Sequence, residues 1–512
     1  MAIKILDCTL RDGGYYTNWD FDQKLVETYF ESLNKLPVDY LEIGYRSPKL
    51  PGYYGRFHYC PEFVLDDIRE RSTKKLVVIL DEKNILPEMT TELLAPCVGI
   101  IDLVRIALAP ERMLQGIKLA ENIRAMGFEV GFNVMYMSKW KTQKDFLNHL
   151  PEVDSVADYF YMVDSFGGVY PEDVRNTYEL VKTHVNCAIG FHGHNNLELA
   201  LINSLTAIEC GVEIIDSTIT GMGRGAGNLK TELLLTALNQ KNDLEIDFNA
   251  LTAVTDSFSG LQRIHEWGTN LPYMVSGANS LPQKEVMEWV GKRYYSYNSI
   301  IRALQNQSKG QKDNERLSLF DPKETYESAM IIGGGNSILK HAKAIQEFLY
   351  RNPKTILIHS SSKNATVFNL VTNKQIFCLV GNEGHRMEEV LGNNLPEEVT
   401  GILPPFPRKM GTYIPSNLKD KCYELKSNSF TDEFVDSHTA IALQTVLDLN
   451  VQKLFFVGYD GYNVDELDEK AQDLLNENTL LFKKFMAVYQ GELTALTPTV
   501  YPLPKGSLYA MI

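Results

Sequence analysis

The chain has 512 residues, of which 44% are hydrophobic and 22% are charged, the composition of a globular protein larger than a single core. Its net charge of −15 is offset by no basic stripe, which argues against general nucleic-acid binding. The seven cysteines form no Cys-x-x-Cys pair, and neither a signal peptide nor a run long enough for a membrane span is seen. We therefore expect a cytoplasmic protein of two or three domains without nucleic-acid or membrane contacts.

Residues 1–240 alternate between short β-rich runs and helical patterns. The predicted strands are Ile3–Leu6, Tyr40–Ile43, Leu76–Leu80, Leu103–Ala107, Glu129–Met135, Tyr159–Val163, Ala188–Phe191 and Glu213–Ile215. The predicted helices are Asp22–Leu36, Pro61–Arg71, Leu86–Ala95, Pro110–Met126, Gln143–Leu150, Pro171–His184, Leu197–Cys210 and Leu229–Asn239. Eight such units indicate a (β/α)8 TIM barrel, and a doubly wound open sheet is the competing fold.

Polar side chains end or follow nearly every predicted strand, where the catalytic groups of such barrels lie. They are Asp7, Arg11, Asp12, Glu42, Arg46, Asp81, Arg105, Asn133, Asp164, Ser165, His192, His194, Asp216 and Ser217. Each has a structural alternative: Asp7 could cap a turn, and Glu42 with Arg105 could form a buried ion pair. Their repetition at strand ends favours a functional site.

The stretch His192-Gly193-His194 places two imidazoles at positions i and i+2 of a predicted strand, where both point to the same face. Together with Asp12 they form one carboxylate and two imidazoles, a ligand set that leaves positions on a divalent metal open for substrate oxygens. The alternative is that they are simply polar residues at a strand end.

Three separated stretches resemble the signatures of the DRE-TIM metallolyase superfamily: Asp-Cys-Thr-Leu-Arg-Asp-Gly at 7–13, His-Gly-His-Asn at 192–195 and Gly-Ala-Gly-Asn-Leu-Lys-Thr-Glu at 225–232. The pattern is closest to aldolases of the 4-hydroxy-2-oxovalerate type, through Leu10–Gly13 and Asp164–Gly168. The resemblance implies a lyase that joins a pyruvate-type 2-keto acid to an aldehyde, or cleaves the product.

The resemblance also implies roles for individual residues. Asp12, His192 and His194 would bind Mn²⁺, Mg²⁺ or Zn²⁺, with Asn228 close by as a further ligand. Arg11 would stabilise the enolate oxygen, and Ser165 lies where the aldolase-type relatives contact the keto acid. The predicted substrate-binding residues lie on three other strands and are Glu42, Arg105 and Asn133.

The sequence departs from the aldolase pattern at Tyr15, which stands where those aldolases have a catalytic histidine. Tyr15 is the predicted acid/base residue, although a phenol with the usual pKa of about 10 is a poor base, and Tyr16 and Tyr45 are its rivals. Many acyl-CoA relatives have Glu-Gln where this chain has Gly14-Tyr15, which disfavours a Claisen-type acyl-CoA synthase or lyase.

Two more classes of protein share parts of this pattern. A zinc hydrolase of the amidohydrolase kind also uses His-x-His in a barrel, but on the first strand, whereas the pair here is on the seventh. A metal-free barrel that acts as a scaffold or sensor is the non-enzymatic possibility.

Residues 241–325 are predicted to form a helical extension and a linker. The helices are Leu251–Trp267 and Gln283–Leu304, joined by the segment Asn270–Gly277, from which Tyr273 could approach the site. The polar stretch Gln305–Glu315 has no apolar periodicity and is the best linker in the chain.

Residues 326–512 predict a Rossmann-like α/β domain. Its predicted strands are Ala329–Ile332, Thr355–Ile358, Ile376–Val380 and Lys453–Val457. One predicted helix follows the first strand and ends at Tyr350, and another spans Thr439–Leu449. A glycine-rich turn after the first strand predicts contact with a nucleotide or nucleotide-sugar through Gly333, Gly335, Asn336 and Ser337, although the spacing also fits a purely structural turn. Ser360–Lys363 is a second candidate for anion contact, and we expect a homo-oligomer.

Overall fold

The computed structural model describes residues 3–242, 244–292, 295–392, 394–462 and 469–512. The chain forms two compact units, Met1–Met287 and Glu288–Ile512. Within the described ranges, no helix is both long and apolar enough to cross a membrane. The division into three parts at residues 240 and 325 stays a prediction.

The described residues of the first unit include eight parallel strands that close into a barrel in chain order. Strands β1 to β8 are Lys4–Asp7, Tyr40–Tyr45, Lys75–Asp81, Leu103–Leu108, Glu129–Val134, Tyr159–Asp164, Ala188–Gly193 and Ile214–Ser217. Ile5 of β1 lies opposite Ile215 of β8, and this pairing closes the sheet. The predicted TIM barrel is confirmed, and the competing open sheet is wrong for this part of the chain.

Ten helices of the described part accompany the barrel strands. Helices α1 to α10 are Thr9–Thr17, Gln23–Leu33, Arg56–Tyr59, Glu62–Arg71, Thr90–Leu94, Met113–Ala125, Lys144–Val153, Pro171–Lys182, Ala200–Cys210 and Thr231–Asn242. Helix α1 has no counterpart among the predicted helices because two adjacent glycines, Gly13 and Gly14, disfavour a helix locally. The tertiary structure requires Gly14 there, since a Cβ on it would lie 2.2 Å from the ring of Trp19.

The region after the barrel is more helical than its sequence predicts. Helices α11 to α14 are Phe248–His265, Leu271–Ala278, Gln283–Lys292 and Tyr297–Ser308. The predicted connection at 270–277 is wrong, because it forms α12, whose first turn is capped by the side chain of Asn270. The predicted single helix at 283–304 is two helices, and Ser296 caps the second. The predicted linker begins inside α14, and its Asp313 is buried against Thr412.

In the described part of the second unit, seven parallel strands form an open sheet in the order β13-β12-β11-β10-β9-β14-β15. Strands β9 to β15 are Ser328–Ile332, Thr355–His359, Gln375–Cys378, Val399–Leu403, Cys422–Glu424, Lys453–Val457 and Glu492–Ala495. Helices α15 to α19 are Ser337–Lys340, Ala342–Arg351, Glu383–Leu391, His438–Leu449 and Glu469–Val488. The predicted α/β sheet is confirmed, and β12, β13 and β15 are additional strands of five residues or fewer.

Alternating side chains of β9 serve two apolar cores, one on each face of this sheet. Ile331 belongs to the core that includes Ile441 of α18 and Phe482 of α19. Its neighbour Met330 belongs to the opposite core, with Phe348 of α16. The chain order reverses between β9 and β14, so the carboxyl ends of these two strands mark the topological switch point of the sheet.

His359 at the end of β10 makes the stability of the second unit depend on pH. Burial lowers the pKa of His359 to about 4, against about 6.5 in an unfolded chain. As the pH falls through about 6.5 the unfolded chain gains a proton that the folded chain does not accept until about pH 4. We therefore expect the free energy of unfolding to fall by about 3 kcal/mol, owing to His359, as the pH drops from about 6.5 to about 4. Above about pH 6.5 His359 should cause no loss.

Calorimetric unfolding of the protein and of His359→Gln across this pH range measures the effect. The variant is expected to lose stability less steeply, because its amide does not titrate but can still reach the Gln375 oxygen that His359 Nε2 contacts at 2.8 Å. His341→Gln, which replaces a half-buried histidine of the same unit, is the control. Equal slopes for the protein and His359→Gln would contradict the prediction.

Candidate active site

The barrel interior changes from apolar to polar towards the carboxyl ends of its strands. An interior apolar layer includes Leu6, Tyr40, Leu103, Tyr159 and Ile214. Side chains alternate between the two faces of a strand, so the residue two positions later is interior as well. This next layer contains Cys8, Glu42, Arg105, Tyr161 and Asp216, all buried. Simple alternation therefore places a buried polar layer beneath the predicted site.

The same alternation puts Asp7 on the outer side of β1, where it is fully buried. Its carboxylate accepts hydrogen bonds from the hydroxyls of Thr9, Tyr29 and Thr231, at 2.6 to 2.7 Å. Burial raises the pKa of Asp7 and these hydrogen bonds counteract the rise. Asp7 thus ties β1 to the surrounding helices and is not part of the interior site.

Asp12, His192 and His194 meet at the carboxyl end of the barrel. Asp12 comes from helix α1, His192 from β7, and His194 from just beyond β7. One ligand atom from each lies within 4.8 Å of the other two. His192 Nε2 is 3.9 Å from Asp12 Oδ2. The structure therefore brings the three predicted ligands together.

A hydrogen bond to the other ring nitrogen orients each imidazole. His194 Nδ1 donates to the backbone carbonyl of Asp164 at 2.6 Å, and His192 Nδ1 is 2.8 Å from Asp216 Oδ2. Such partners fix the ring so that Nε2 presents its lone pair to the site. Burial lowers the pKa of His194 to about 4, which keeps this ring in the neutral form that a metal requires.

Asp12 stays ionised despite its burial. Burial alone would raise the pKa of Asp12, but the neighbouring guanidinium of Arg11 and the two histidines outweigh it and hold the pKa below its usual value. Asn228 Nδ2 donates a 2.5 Å hydrogen bond to Asp12 Oδ2. Asp12 therefore presents an ionised carboxylate beside the two imidazoles.

Asn228 supplies a test of whether the site fits a metal. Its buried Oδ1 has no hydrogen-bond partner within the described residues. A buried oxygen without a partner is energetically unfavourable unless another group, such as a cation, contacts it. The loop holds Asn228 closely, because a Cβ on Gly223 would lie 2.4 Å from Asn228 Nδ2. One carboxylate, two imidazoles and one amide oxygen fit a divalent cation, so the residues present suit such an ion.

A chain of alternating charges runs beneath this group. Arg11 Nη1 donates to Asp12 at 2.5 Å, and Arg11 Nε donates to Glu42 at 2.6 Å. Arg105 Nη1 lies 3.3 Å from Glu42, and Arg105 Nη2 donates to Asp216 at 2.5 Å. Asp216 in turn contacts His192. This series of charged contacts therefore connects Asp12 with His192 and fixes the orientation of Arg11.

The remaining predicted site residues have different surroundings. Asn133 Oδ1 accepts a 2.6 Å hydrogen bond from Arg105 Nε, so Glu42, Arg105 and Asn133 form one buried network. Ser165 Oγ accepts from the backbone amide of Tyr136 at 2.9 Å and is half-buried. Whether any of these residues contacts a substrate stays a prediction.

Tyr15 lies on the last turns of α1 beside a second phenol. Its hydroxyl is 3.2 Å from that of Tyr45, and its ring meets Trp19 edge-on at 5.0 Å. Burial and then Tyr15 itself raise the pKa of Tyr45 well above its usual value. Tyr16 points elsewhere, donating to the backbone carbonyl of Gly225. Tyr15 and Tyr45 thus form a pair of hydrogen-bonded phenols, and Tyr16 is not part of it.

Contacts with the backbone of helix α12 hold this helix near the carboxyl ends of the barrel strands. Asn196, two residues after His194, donates from Nδ2 to the Tyr273 carbonyl at 2.9 Å. A Cβ on Gly168 would lie 2.2 Å from the carbonyl oxygen of Gly277, so the loop after β6 and α12 touch directly. The ring of Tyr273 lies near Gly225, with 3.2 Å between its Cε1 and a Cβ built on that glycine.

In the second unit, the predicted nucleotide-binding turn already has an anionic neighbour. Ser337 donates from its backbone amide to Asp460 at 2.8 Å, and its hydroxyl contacts the same carboxylate. Gly335 donates its amide to the carbonyl of Gly458. A Cβ on Gly333 would lie 2.3 Å from that same carbonyl oxygen. These glycines therefore allow the β9 and β14 turns to pack closely, and nucleotide binding through Gly333, Gly335, Asn336 and Ser337 stays a prediction.

Two residues near the site have no role in the sequence-based prediction. Cys8 shares a second cluster with His192 and Asp216, with ligand atoms within 4.8 Å. The Cys8 position follows from alternation, because Leu6 is interior. Arg224, in the loop before Asn228, lies with its guanidinium 5.0 Å from the ring centroid of Tyr15. No pattern in the sequence predicts the contact between Arg224 and Tyr15, which are 209 residues apart.

Comparison with known proteins adds a family assignment to this geometry. The HMGL-like family model matches residues 108–257. A 4-hydroxy-2-oxovalerate aldolase of Chloroflexus aurantiacus is 30% identical over 247 residues, which cover 46% of this chain and 69% of that protein. The oxaloacetate decarboxylase of Mycobacterium tuberculosis is 28% identical over 254 residues, which cover 47% and 71%, respectively.

A solved structure is also similar. It is the crystal structure of the N-terminal domain of a provisionally named aldolase from Bacteroides vulgatus, with 56% sequence identity and a TM-score of 0.57. The match covers 59% of this chain and 100% of that domain.

Proposed function

The chain belongs to the HMGL-like family of the DRE-TIM metallolyases, a family of pyruvate-type aldolases and lyases, and we propose that its barrel is a divalent-metal-dependent aldolase. The proposed reaction forms or cleaves the C–C bond between the enolate of a 2-keto acid such as pyruvate and the carbonyl carbon of an aldehyde. The observation that carries the proposal is the meeting of Asp12, His192 and His194 beside Arg11, together with Asn228 Oδ1, which has no hydrogen-bond partner among the described residues.

These four residues would hold Mn²⁺, Mg²⁺ or Zn²⁺. When bound, the ion would act as a Lewis acid towards the oxygens of the keto acid. Asp216 and the Asp164 carbonyl keep the two imidazoles oriented, and Arg11 keeps Asp12 ionised. The protein thus supplies a site whose donors are set in place before substrate arrives.

Arg11 is the proposed stabiliser of the enolate oxygen. Two of its three guanidinium nitrogens are held by Asp12 and Glu42, and no hydrogen bond to Nη2 is found within the described residues. A guanidinium fixed at two points presents its third nitrogen without further loss of side-chain freedom. Negative charge that develops on the keto oxygen would therefore meet a preoriented donor.

Tyr15 is the proposed proton donor in the aldol direction. The C2=C3 electron pair of the enolate forms the bond from C3 to the aldehyde carbonyl carbon, the keto C=O double bond is restored, and the electron pair of the aldehyde C=O double bond moves to the aldehyde oxygen. That oxygen takes its proton from the Tyr15 hydroxyl, which the Tyr45 hydroxyl faces at 3.2 Å. Cleavage runs through the same groups in reverse.

Exchange of the pyruvate methyl protons with deuterium tests the proposal without knowledge of the aldehyde, because exchange needs only the enolate. The protein is treated with a chelator and then supplied with Mn²⁺, Mg²⁺ or Zn²⁺, and exchange is followed by NMR or mass spectrometry. We expect exchange with at least one ion and none after chelation. Binding of these ions without exchange would overturn the aldolase proposal and favour acyl-CoA chemistry.

Replacing Arg11 by lysine is expected to slow this exchange about a hundredfold at saturating metal and pyruvate, the usual effect of losing one preorganised donor. A lysine ammonium is a compact point charge on a flexible stem and lacks the fixed planar array of donors that the guanidinium presents. Arg71→Lys, in a surface pair with Asp67, is the matched control and should exchange normally. An Arg11→Lys rate close to that of the parent protein would remove Arg11 from the proposed mechanism.

A further inference from the structure

Arg224 is a cation that lies beside Tyr15 and has no anionic partner among the described residues. It lies in the glycine-rich loop after β8 and is half-buried. Its guanidinium stacks 5.0 Å from the centroid of Tyr15. Among the described residues, no carboxylate forms an ion pair with it and no hydrogen-bond acceptor contacts its side chain. It therefore differs from Arg11 and Arg105, each of which contacts two carboxylates.

The loop brings Arg224 to this place through close backbone contacts. Gly223, immediately before it, packs against Asn228, and Gly225, immediately after it, has a positive φ of 66° and accepts a hydrogen bond from Tyr16. The segment that presents Asn228 to Asp12 thus also fixes the backbone of Arg224. The guanidinium is consequently held beside Tyr15, the proposed proton donor for the aldehyde oxygen.

A second cation lies in the same region. The ammonium of Lys83 pairs with Asp81 at 2.8 Å and remains 69% exposed. Arg224 acts to lower the pKa of Lys83, as a nearby cation does. Asp81 offsets the charge of Lys83, so the charge of Arg224 is left uncompensated. A half-buried guanidinium without an ion-pair partner in the described part of the protein can donate its hydrogen bonds to an anion.

We propose that Arg224 binds an anionic group, a carboxylate or a phosphate, on the aldehyde substrate. The inference rests on the proposed aldolase function and names the class of its second substrate: an aldehyde with a negative charge at the end remote from its carbonyl. A guanidinium suits either anion because it donates two parallel hydrogen bonds. Keto-acid binding is assigned to Arg11 and the four candidate ligands.

Matched aldehydes test the inference in the full-length protein, with pyruvate and the metal that supports exchange. Succinic semialdehyde is compared with butanal, and glyceraldehyde 3-phosphate with glyceraldehyde, with product formation followed by mass spectrometry. We expect a higher kcat/KM for the charged member of at least one pair, by about ten- to hundredfold, the usual contribution of a charge-assisted hydrogen bond. The pair that shows it distinguishes a carboxylate from a phosphate.

Variants then connect the preference to Arg224. Arg224→Gln should reduce the preference for the charged aldehyde to about unity, mainly through KM, whereas Arg224→Lys should retain part of it because the charge remains. Arg263→Gln removes an exposed arginine of α11 and should leave the preference unchanged. A merely structural role of Arg224 would lower the rates with charged and neutral aldehydes alike.

The outcomes separate this inference from the proposed function. Pyruvate exchange with no preference for charged aldehydes in the parent protein would overturn the role of Arg224 and leave the aldolase proposal standing. A preference that persists in Arg224→Gln would also overturn it. Absence of pyruvate exchange in the parent protein would instead overturn the proposed function on which the inference rests.

Discussion

His192→Ala is expected to reduce deuterium exchange into pyruvate by about a thousandfold, because stabilisation by the metal is worth several kcal/mol. His192 is the residue on which the site converges: its Nε2 faces Asp12 and its Nδ1 contacts Asp216. The variant loses one of the four candidate metal ligands and also leaves Asp216 without an imidazole partner. Exchange at saturating pyruvate, together with calorimetric titration of Mn²⁺, measures both losses.

His149→Ala is the matched control, since His149 is a partly exposed histidine of α7 that pairs with Glu152. It should bind Mn²⁺ and exchange pyruvate protons at the parent rates. Circular dichroism of both variants shows whether the barrel remains folded. Parent-like exchange in a folded His192→Ala protein would place the reactive centre elsewhere.

Arg105→Met is expected to destabilise the barrel by about 3–5 kcal/mol, the usual cost of breaking a buried ion pair by removing one partner. Arg105 is fully buried between Glu42 and Asp216. Methionine approximates the volume of the stem but leaves Asp216 with an uncompensated charge in the barrel interior. Urea unfolding followed by tryptophan fluorescence reports mainly on this unit, because it contains Trp19, Trp140 and Trp267 of the four tryptophans.

Two further variants identify the cause of the loss. Lys75→Met breaks the exposed pair between Lys75 and Glu129 and should cost less than about 1 kcal/mol. Adding Asp216→Asn to Arg105→Met should recover part of the stability, since it removes the uncompensated charge. A double variant no more stable than Arg105→Met would mean that lost packing, not charge, causes the effect.

Much of the barrel can be predicted from the sequence because its signals are local. Apolar β-rich runs, the helical patterns between them and their repetition eight times indicate a closed barrel without knowledge of any long-range contact. Alternation along strands then predicts that His192 and His194 share a face, as the structure shows. Helix α1 escapes such prediction because its paired glycines argue locally against a helix, and only the packing of Trp19 against Gly14 explains them.

The candidate site is predictable in its residues but not in its connections. The motifs point to Asp12, His192, His194 and Asn228, and the structure brings them together. Glu42 and Arg105 are also recognisable from their positions at strand ends. That they form a continuous chain of charges depends on the register of barrel closure, since their partners come from strands far apart in the sequence.

The sequence by itself determined the barrel and the α/β character of the second unit, because these follow from periodicity, and its resemblance to a known family pointed to the residues predicted to hold a metal. Only the tertiary structure decided which charges are paired. It places Asp460 against the predicted nucleotide turn and, within the part of the chain that the structure describes, leaves Arg224 without an ion-pair partner over the Tyr15 ring. The physical reason is that an ion pair depends on distances of a few ångströms between side chains on different segments, and no local pattern specifies those distances.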